Sequence, residues 1–122
     1  MKPVLTIRNE QLQALFFGMA DPFRRLAVAK LNAEHPERCA ALGERGVAGA
    51  IELALDKAWT YGFEDDDDIL LYLDVMFRVG LRFDEDPRHS WAREILRDAR
   101  YAPETRVDLV SMRFASQPAA QG

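Results

Sequence analysis

ILLYLDVMFRVGL, residues 69–81, decides the fold class. On a helical wheel at about 100° per residue, Asp67, Asp74 and Arg78 share one narrow stripe with Leu71 among them. Ile69, Leu70, Tyr72, Leu73, Val75, Met76, Phe77 and Val79 fill the remainder. A helix with so little polar surface must be surrounded by other elements. The expected fold is therefore all-α, a single-domain bundle of about five or six helices around a buried central helix at residues 64–80. The domain is expected to span residues 1–116, and the small, polar residues 117–122 to form a disordered tail.

Upstream of this stretch, residues 44–61 read as a helix. Val47, Ile51, Ala54, Leu55 and Ala58 form its buried face, with Leu53, Asp56, Lys57 and Thr60 opposite. Gly46 and Gly49 suit a close helix crossing, and Gly62 suits a left-handed cap. Residues 36–43 read as a short helical turn opened by Pro36 and closed by Gly43. Earlier still, Thr6 and Asn9 are candidate caps for a helix carrying Leu12, Leu15, Phe16, Met19, Phe23, Leu26 and Ala27 on one face. That face crosses Pro22 in phase. Either one helix kinks at Pro22, or Asp21 caps a second helix with Pro22 in first position. The preserved phase favours a kinked helix to about Ala33, ended by His35-Pro36.

Downstream, Arg78 and Arg82 suit the negative end of the central helix. Phe83 anchors the loop 83–89 in the core, and Ser90 caps a helix over residues 91–99. Trp91, Ile95 and Leu96 face inward there, Arg93, Arg97 and Arg100 outward. The last helix starts at Pro103-Glu104 and buries Val107, Val110 and Phe114, leaving Leu109 and Met112 off that face. Leu53, Trp59, Leu71, Leu109 and Met112 would form an interface, such as that of a homodimer, if they made one patch.

The composition, 48% hydrophobic and 30% charged over 122 residues, is that of an ordinary globular chain. A net charge of −4 argues against nucleic acid as the main partner and suits a basic protein. The single Cys39 reads as a small buried thiol and permits no internal disulfide. The start MKPVLTIRNEQ lacks the apolar core of a secretion signal, and no uncharged apolar run reaches about 18 residues. A cytoplasmic protein without membrane insertion is expected.

No residue pattern supplies chemistry. The chain has no His-Glu-x-x-His pair, no paired cysteines, no glycine-rich phosphate loop and no Gly-x-Ser-x-Gly elbow. His35 and His89 read as solvated loop residues, and neither acidic stretch has the glycine and distal glutamate of a calcium loop. The expectation is a non-enzyme without cofactor or metal, working through its surface. Glu64, Asp65, Asp66, Asp67 and Asp68 are more acids than a helix start needs. Together with Leu71, Asp74, Asp84, Glu85 and Asp86 they are the candidate partner-binding residues.

One resemblance covers most of the chain. The order Ile7…Gln11, His35-Pro36-Glu37-Arg38-Cys39-Ala40-Ala41-Leu42-Gly43, Ala58…Tyr61-Gly62, Met76-Phe77…Gly80…Phe83-Asp84…Asp86-Pro87…Trp91-Ala92…Ile95-Leu96 resembles small helical accessory proteins of bacteria. These are encoded beside type VI secretion spike and effector genes, in VgrG, PAAR and Rhs neighbourhoods. The similarity runs from about Ile7 to Phe114. Pro22 and the long acidic run from Glu64 depart from its pattern. The resemblance implies an adaptor or chaperone for an effector or spike component, or an immunity protein against a neighbouring toxin. It carries no catalytic residues.

Overall fold

The computed structural model describes residues 21–117. Among them every regular element is helical and no strand occurs, so the expected all-α class is observed. The helices are α1 (Pro22–Glu34), α2 (Pro36–Tyr61), α3 (Asp66–Val79), α4 (Ser90–Leu96) and α5 (Pro103–Ala115). Two 3-10 turns, Phe83–Glu85 and Pro87–His89, join α3 to α4. The chain divides into two compact units, Met1–Leu53 and Ala54–Gly122. The expected caps Thr6 and Asn9, the apolar positions Leu12, Leu15, Phe16 and Met19, and tail residues 118–122 lie outside the described residues.

In the first unit, α1 begins at Pro22 because Asp21 is extended (φ −113°, ψ 99°). The Asp21 carboxylate accepts from the backbone N–H of Phe23 at 2.9 Å and of Arg24 at 3.4 Å. The kinked helix favoured by phase is therefore replaced by the capped alternative, in which the missing N–H of Pro22 costs nothing. Arg24 fastens this start. It contacts the Asp21 carboxylate and donates to Glu52 at 2.6 and 2.9 Å. Ala27 and Leu31 are buried, whereas Leu26, expected inward, is exposed. Cys39 is buried as expected, and desolvation pushes its thiol pKa up.

The run α2 is two helical segments meeting at Gly43, whose backbone (φ 76°, ψ 171°) lies in a region essentially reserved for glycine. This matches the turn expected between Pro36 and Gly43. Among the described residues no atom lies within 4 Å of a Cβ built there, so a substitution meets backbone strain. Gly43→Ala is expected to cost about 1–3 kcal/mol in urea unfolding. Gly49 is helical and its Cβ position is also open, so Gly49→Ala should instead stabilise by about 0.4–1 kcal/mol. Among the described residues nothing lies within 4 Å of a Cβ built at Gly49. At Gly46 a Cβ would sit 2.8 Å from the Leu42 Cβ, so that glycine makes room for the side chain just before the break.

In the second unit, α3 buries Ile69, Leu70, Tyr72, Leu73, Val75, Met76 and Phe77. Asp67 and Arg78 are exposed and Leu71 and Asp74 half-buried, which is the polar stripe read from sequence. Around Tyr72 stand Phe83, Phe63 and Tyr61, with ring centroids 5.1, 5.7 and 6.3 Å away. Gly62 (φ 87°) turns the chain out of α2, and the Gly62 and Phe63 amides both donate to the Ala58 carbonyl. Ser90 lies inside α4 instead of capping it, because the preceding 3-10 turn leads directly into the helix. The helix ends at Leu96, short of the expected Ala99. His89 is not a solvated loop residue; its ring packs edge-on against Phe114 at 5.0 Å. Trp91 is half-buried, 4.6 Å from Phe114, with the Arg113 guanidinium 4.2 Å from its ring centroid.

Candidate protein-interaction surface

Asp65 is the extended N-cap residue of α3, and Asp66, Asp67 and Asp68 form its first turn. Glu64 through Asp67 are exposed and Asp68 is half-buried. Desolvation raises the Asp68 pKa, aided by the charges of Asp65, of Glu104 and Asp108 on α5, and of Asp67. The acidic surface is thus wider than the run in the sequence. Glu104 and Asp108 were missed because a linear reading sees only two ordinary helix acids far down the chain.

The raised Asp68 value fixes a sign. Stability linked to this group is present below the unfolded-state value of about 3.9 and lost as pH rises through the folded value. Asp68→Asn should therefore raise the urea midpoint at pH 7 and leave it nearly unchanged near pH 3.

Most of the other candidate acids are occupied internally. Asp74 pairs with Arg78 at 2.9 Å, and Arg78 also donates to the Ser111 hydroxyl at 2.8 Å. Glu85 lies 2.8 Å from both Lys57 and Arg82, whose hydrogen bonds hold its carboxyl below the usual range. Asp86 accepts from the Arg88 side chain and backbone, which pull its pKa down to about 2. Leu71 is half-buried on α3.

Asp84 does not belong to the surface. It is 1% exposed. Its Oδ2 accepts from the Tyr61 hydroxyl at 2.6 Å and lies 2.7 Å from Lys57 Nζ. Lys57 was expected opposite the buried face of its helix, yet its side chain is only 16% exposed, the stem running inward to the carboxylate. Among the described residues, Asp84 Oδ1 and the Tyr72 hydroxyl are buried without a hydrogen-bond partner. Burial pushes both tyrosine pKa values far up, followed by the hydrogen bond to Asp84 for Tyr61 and by the Asp84 charge for Tyr72. These groups would suit proton transfer, but a carboxylate this enclosed offers a ligand no surface. They act as a clasp between the end of α2 and the turn after α3. The available signal in the sequence was the spacing of Lys57 and Tyr61, one turn apart on one helix side.

An open trough of about 630 Å³ lies between α4 and α5. Ile95, Tyr101, Leu109 and Met112 supply its apolar lining, with Glu94 and Arg113 at its edges. Met112 is 63% exposed and Tyr101 41%, so this apolar surface is met directly from solvent. Arg106 positions the loop that carries Tyr101. It donates to the carbonyls of Tyr101 at 2.9 Å, Tyr61 at 3.0 Å and Leu96 at 3.3 Å, joining two helix ends to the loop. Asp98 tightens the same loop by accepting from the Arg100 amide and side chain, and its carboxyl is drawn down to about 2. Of the outlying apolar residues marked in the sequence, Leu109 and Met112 therefore share a site. Trp59, 90% exposed, does not line it, and Leu53 is half-buried in the first unit.

These features define an all-α protein with a polar clasp in its interior and an apolar trough on its surface. No described helix is long and apolar enough to cross a membrane. Comparison of the chain with protein-family models, curated proteins and solved structures finds no match.

Proposed function

We propose that this chain is a non-catalytic protein-binding module, an adaptor or chaperone that holds an effector or spike component of a type VI secretion system in the cytoplasm before loading. The observation that supports this reading is the trough on α4 and α5, where Leu109 and Met112 stand with Ile95 and Tyr101 instead of entering the core. An exposed methionine beside a half-buried leucine in a helix-lined groove suits an apolar face of a client segment. The association with secretion rests on the sequence resemblance alone.

Co-expression with the products of adjacent genes, followed by co-purification, tests the reading. A bound effector or spike component whose yield or secretion falls when the protein is deleted would support it. Met112→Asp should weaken capture at least about tenfold while leaving the helical circular dichroism unchanged, because a charge there is solvated in the free protein and buried in the complex. Equal capture by Met112→Asp would exclude the trough as the client site.

A second reading, an immunity protein, is favoured by the acidic surface from Glu64 to Asp68 with Glu104 and Asp108, which suits the basic cleft of a toxin. Rescue of cells from a neighbouring toxin, lost when Asp65–Asp68 are changed to asparagine, would establish immunity over the adaptor role.

A further inference from the structure

We propose that the carboxyl end of α2 is a second contact surface, where the exposed Trp59 indole receives an arginine of a basic partner segment drawn there by uncompensated carboxylates. This inference rests on the acidic-surface reading above, not on the trough, and names the aromatic anchor and the chemistry of the partner.

Trp59 is 90% exposed, more than any other large hydrophobic side chain among the described residues. An indole this open is the kind of side chain that dominates binding once a partner covers it. Half-buried Leu55 stands one turn before it, and exposed Asp56 on the adjoining line of the helix. Among the described residues no ring or cation stands against Trp59. The chain's other tryptophan shows what such a face accepts, for the Arg113 guanidinium lies 4.2 Å from the Trp91 ring centroid.

The charge around this end of α2 is of one sign. The Gly62 and Phe63 amides donate to the Ala58 carbonyl at 2.7 and 2.9 Å, so the chain doubles back beside Trp59 before the acidic run begins. Gly62, one turn beyond Trp59, also adjoins the start of α5, since a Cβ built there would lie 3.6 Å from Pro103 Cγ. Glu104 follows Pro103 directly. Asp56, Glu64, Asp65, Asp66, Asp67 and Glu104 are exposed and meet no cation among the described residues. The cations carried by residues 54–68 and 101–108 are committed elsewhere, Lys57 to Asp84 and Glu85 and Arg106 to three backbone carbonyls. Arg93 and Arg97 act on Tyr61, whose side chain leaves the helix about 200° around from Trp59. An open indole beside uncompensated carboxylates disfavours an acidic partner and favours a cationic one. Arginine suits it better than lysine, because a planar, weakly hydrated guanidinium stacks on the ring.

Two labelled synthetic peptides of equal length serve as probes, one with several arginines among serine and glycine residues, the other with uncharged citrulline at the same places. Binding to the full chain is followed by fluorescence anisotropy. The arginine peptide should bind at least about tenfold more tightly than the citrulline peptide at low salt, and this advantage should shrink as salt screens the surface. Trp59→Ala should weaken the arginine peptide about three- to tenfold, and Trp59→Phe should keep part of what alanine loses. Both variants should retain the helical circular dichroism of the parent, since so exposed a side chain supports little packing. Asp66→Asn with Asp67→Asn should weaken binding and flatten its salt dependence, whereas Met112→Asp should leave it unchanged. Equal binding of the two peptides, no binding of either, or loss of binding on Met112→Asp would overturn the inference. Binding weakened by the aspartate substitutions but untouched by Trp59→Ala would also overturn it and leave the acidic-surface reading standing, while toxin rescue decides that reading independently.

Discussion

Lys57→Met is expected to lower the unfolding free energy by about 3–5 kcal/mol, the largest loss from any single polar side chain in the second unit. The reason is what remains behind. Among the described residues, Asp84, 1% exposed, would retain only the Tyr61 hydroxyl at 2.6 Å, and its Oδ1 already meets no partner there. A buried carboxylate without its cation bears the full desolvation penalty, whereas the intact pair offsets much of it. Adding Asp84→Asn to Lys57→Met should recover part of the loss, because a neutral amide is cheaper to enclose. Urea unfolding of the two single variants and the double variant isolates the coupling. If the double variant is as unstable as the two single losses added together, the clasp is not a coupled charge pair and this account is wrong.

Leu73→Ala should cost about 2–5 kcal/mol, and Leu71→Ala less than about 1 kcal/mol, although the two leucines are two residues apart. Leu73 is fully buried, so truncation leaves a cavity among aromatic and aliphatic neighbours. Leu71 is half-buried on the polar stripe with Asp67, Asp74 and Arg78, and solvent can reach the space it vacates. Matched denaturation curves decide the matter. Comparable losses at the two sites would mean that α3 is rotated from the orientation described.

This contrast was legible in the sequence because a nearly all-apolar helix leaves only one phase for its polar residues. Pro36, Gly43 and Gly62 were equally legible, since each acts through its own backbone. Pro22 misled because a capped restart adds no residue, and an apolar stripe therefore keeps phase whether the helix bends or begins again. The Lys57–Asp84 pair was hidden for a different reason. Asp84 sits in an acidic stretch whose neighbours Glu85 and Asp86 remain in contact with solvent, and only the 3-10 turn at Phe83–Glu85 directs Asp84 inward with Phe83. Tertiary placement, not local composition, decided which acid was enclosed. For the surface, the sequence separated an acidic run from a few misplaced apolar residues. That the charges of Glu104 and Asp108 on α5 act on Asp68 depends on how α3 and α5 pack, which no linear spacing contains.

The three carbonyls gathered by Arg106 have a thermodynamic consequence. Because one guanidinium fixes the backbone around Tyr101 in the free protein, the wall it forms has little disorder left to surrender when another chain settles against it. The entropic cost of association then falls mainly on the incoming segment. Tight holding should accordingly depend more on how helical that segment already is than on any rearrangement of its receptor.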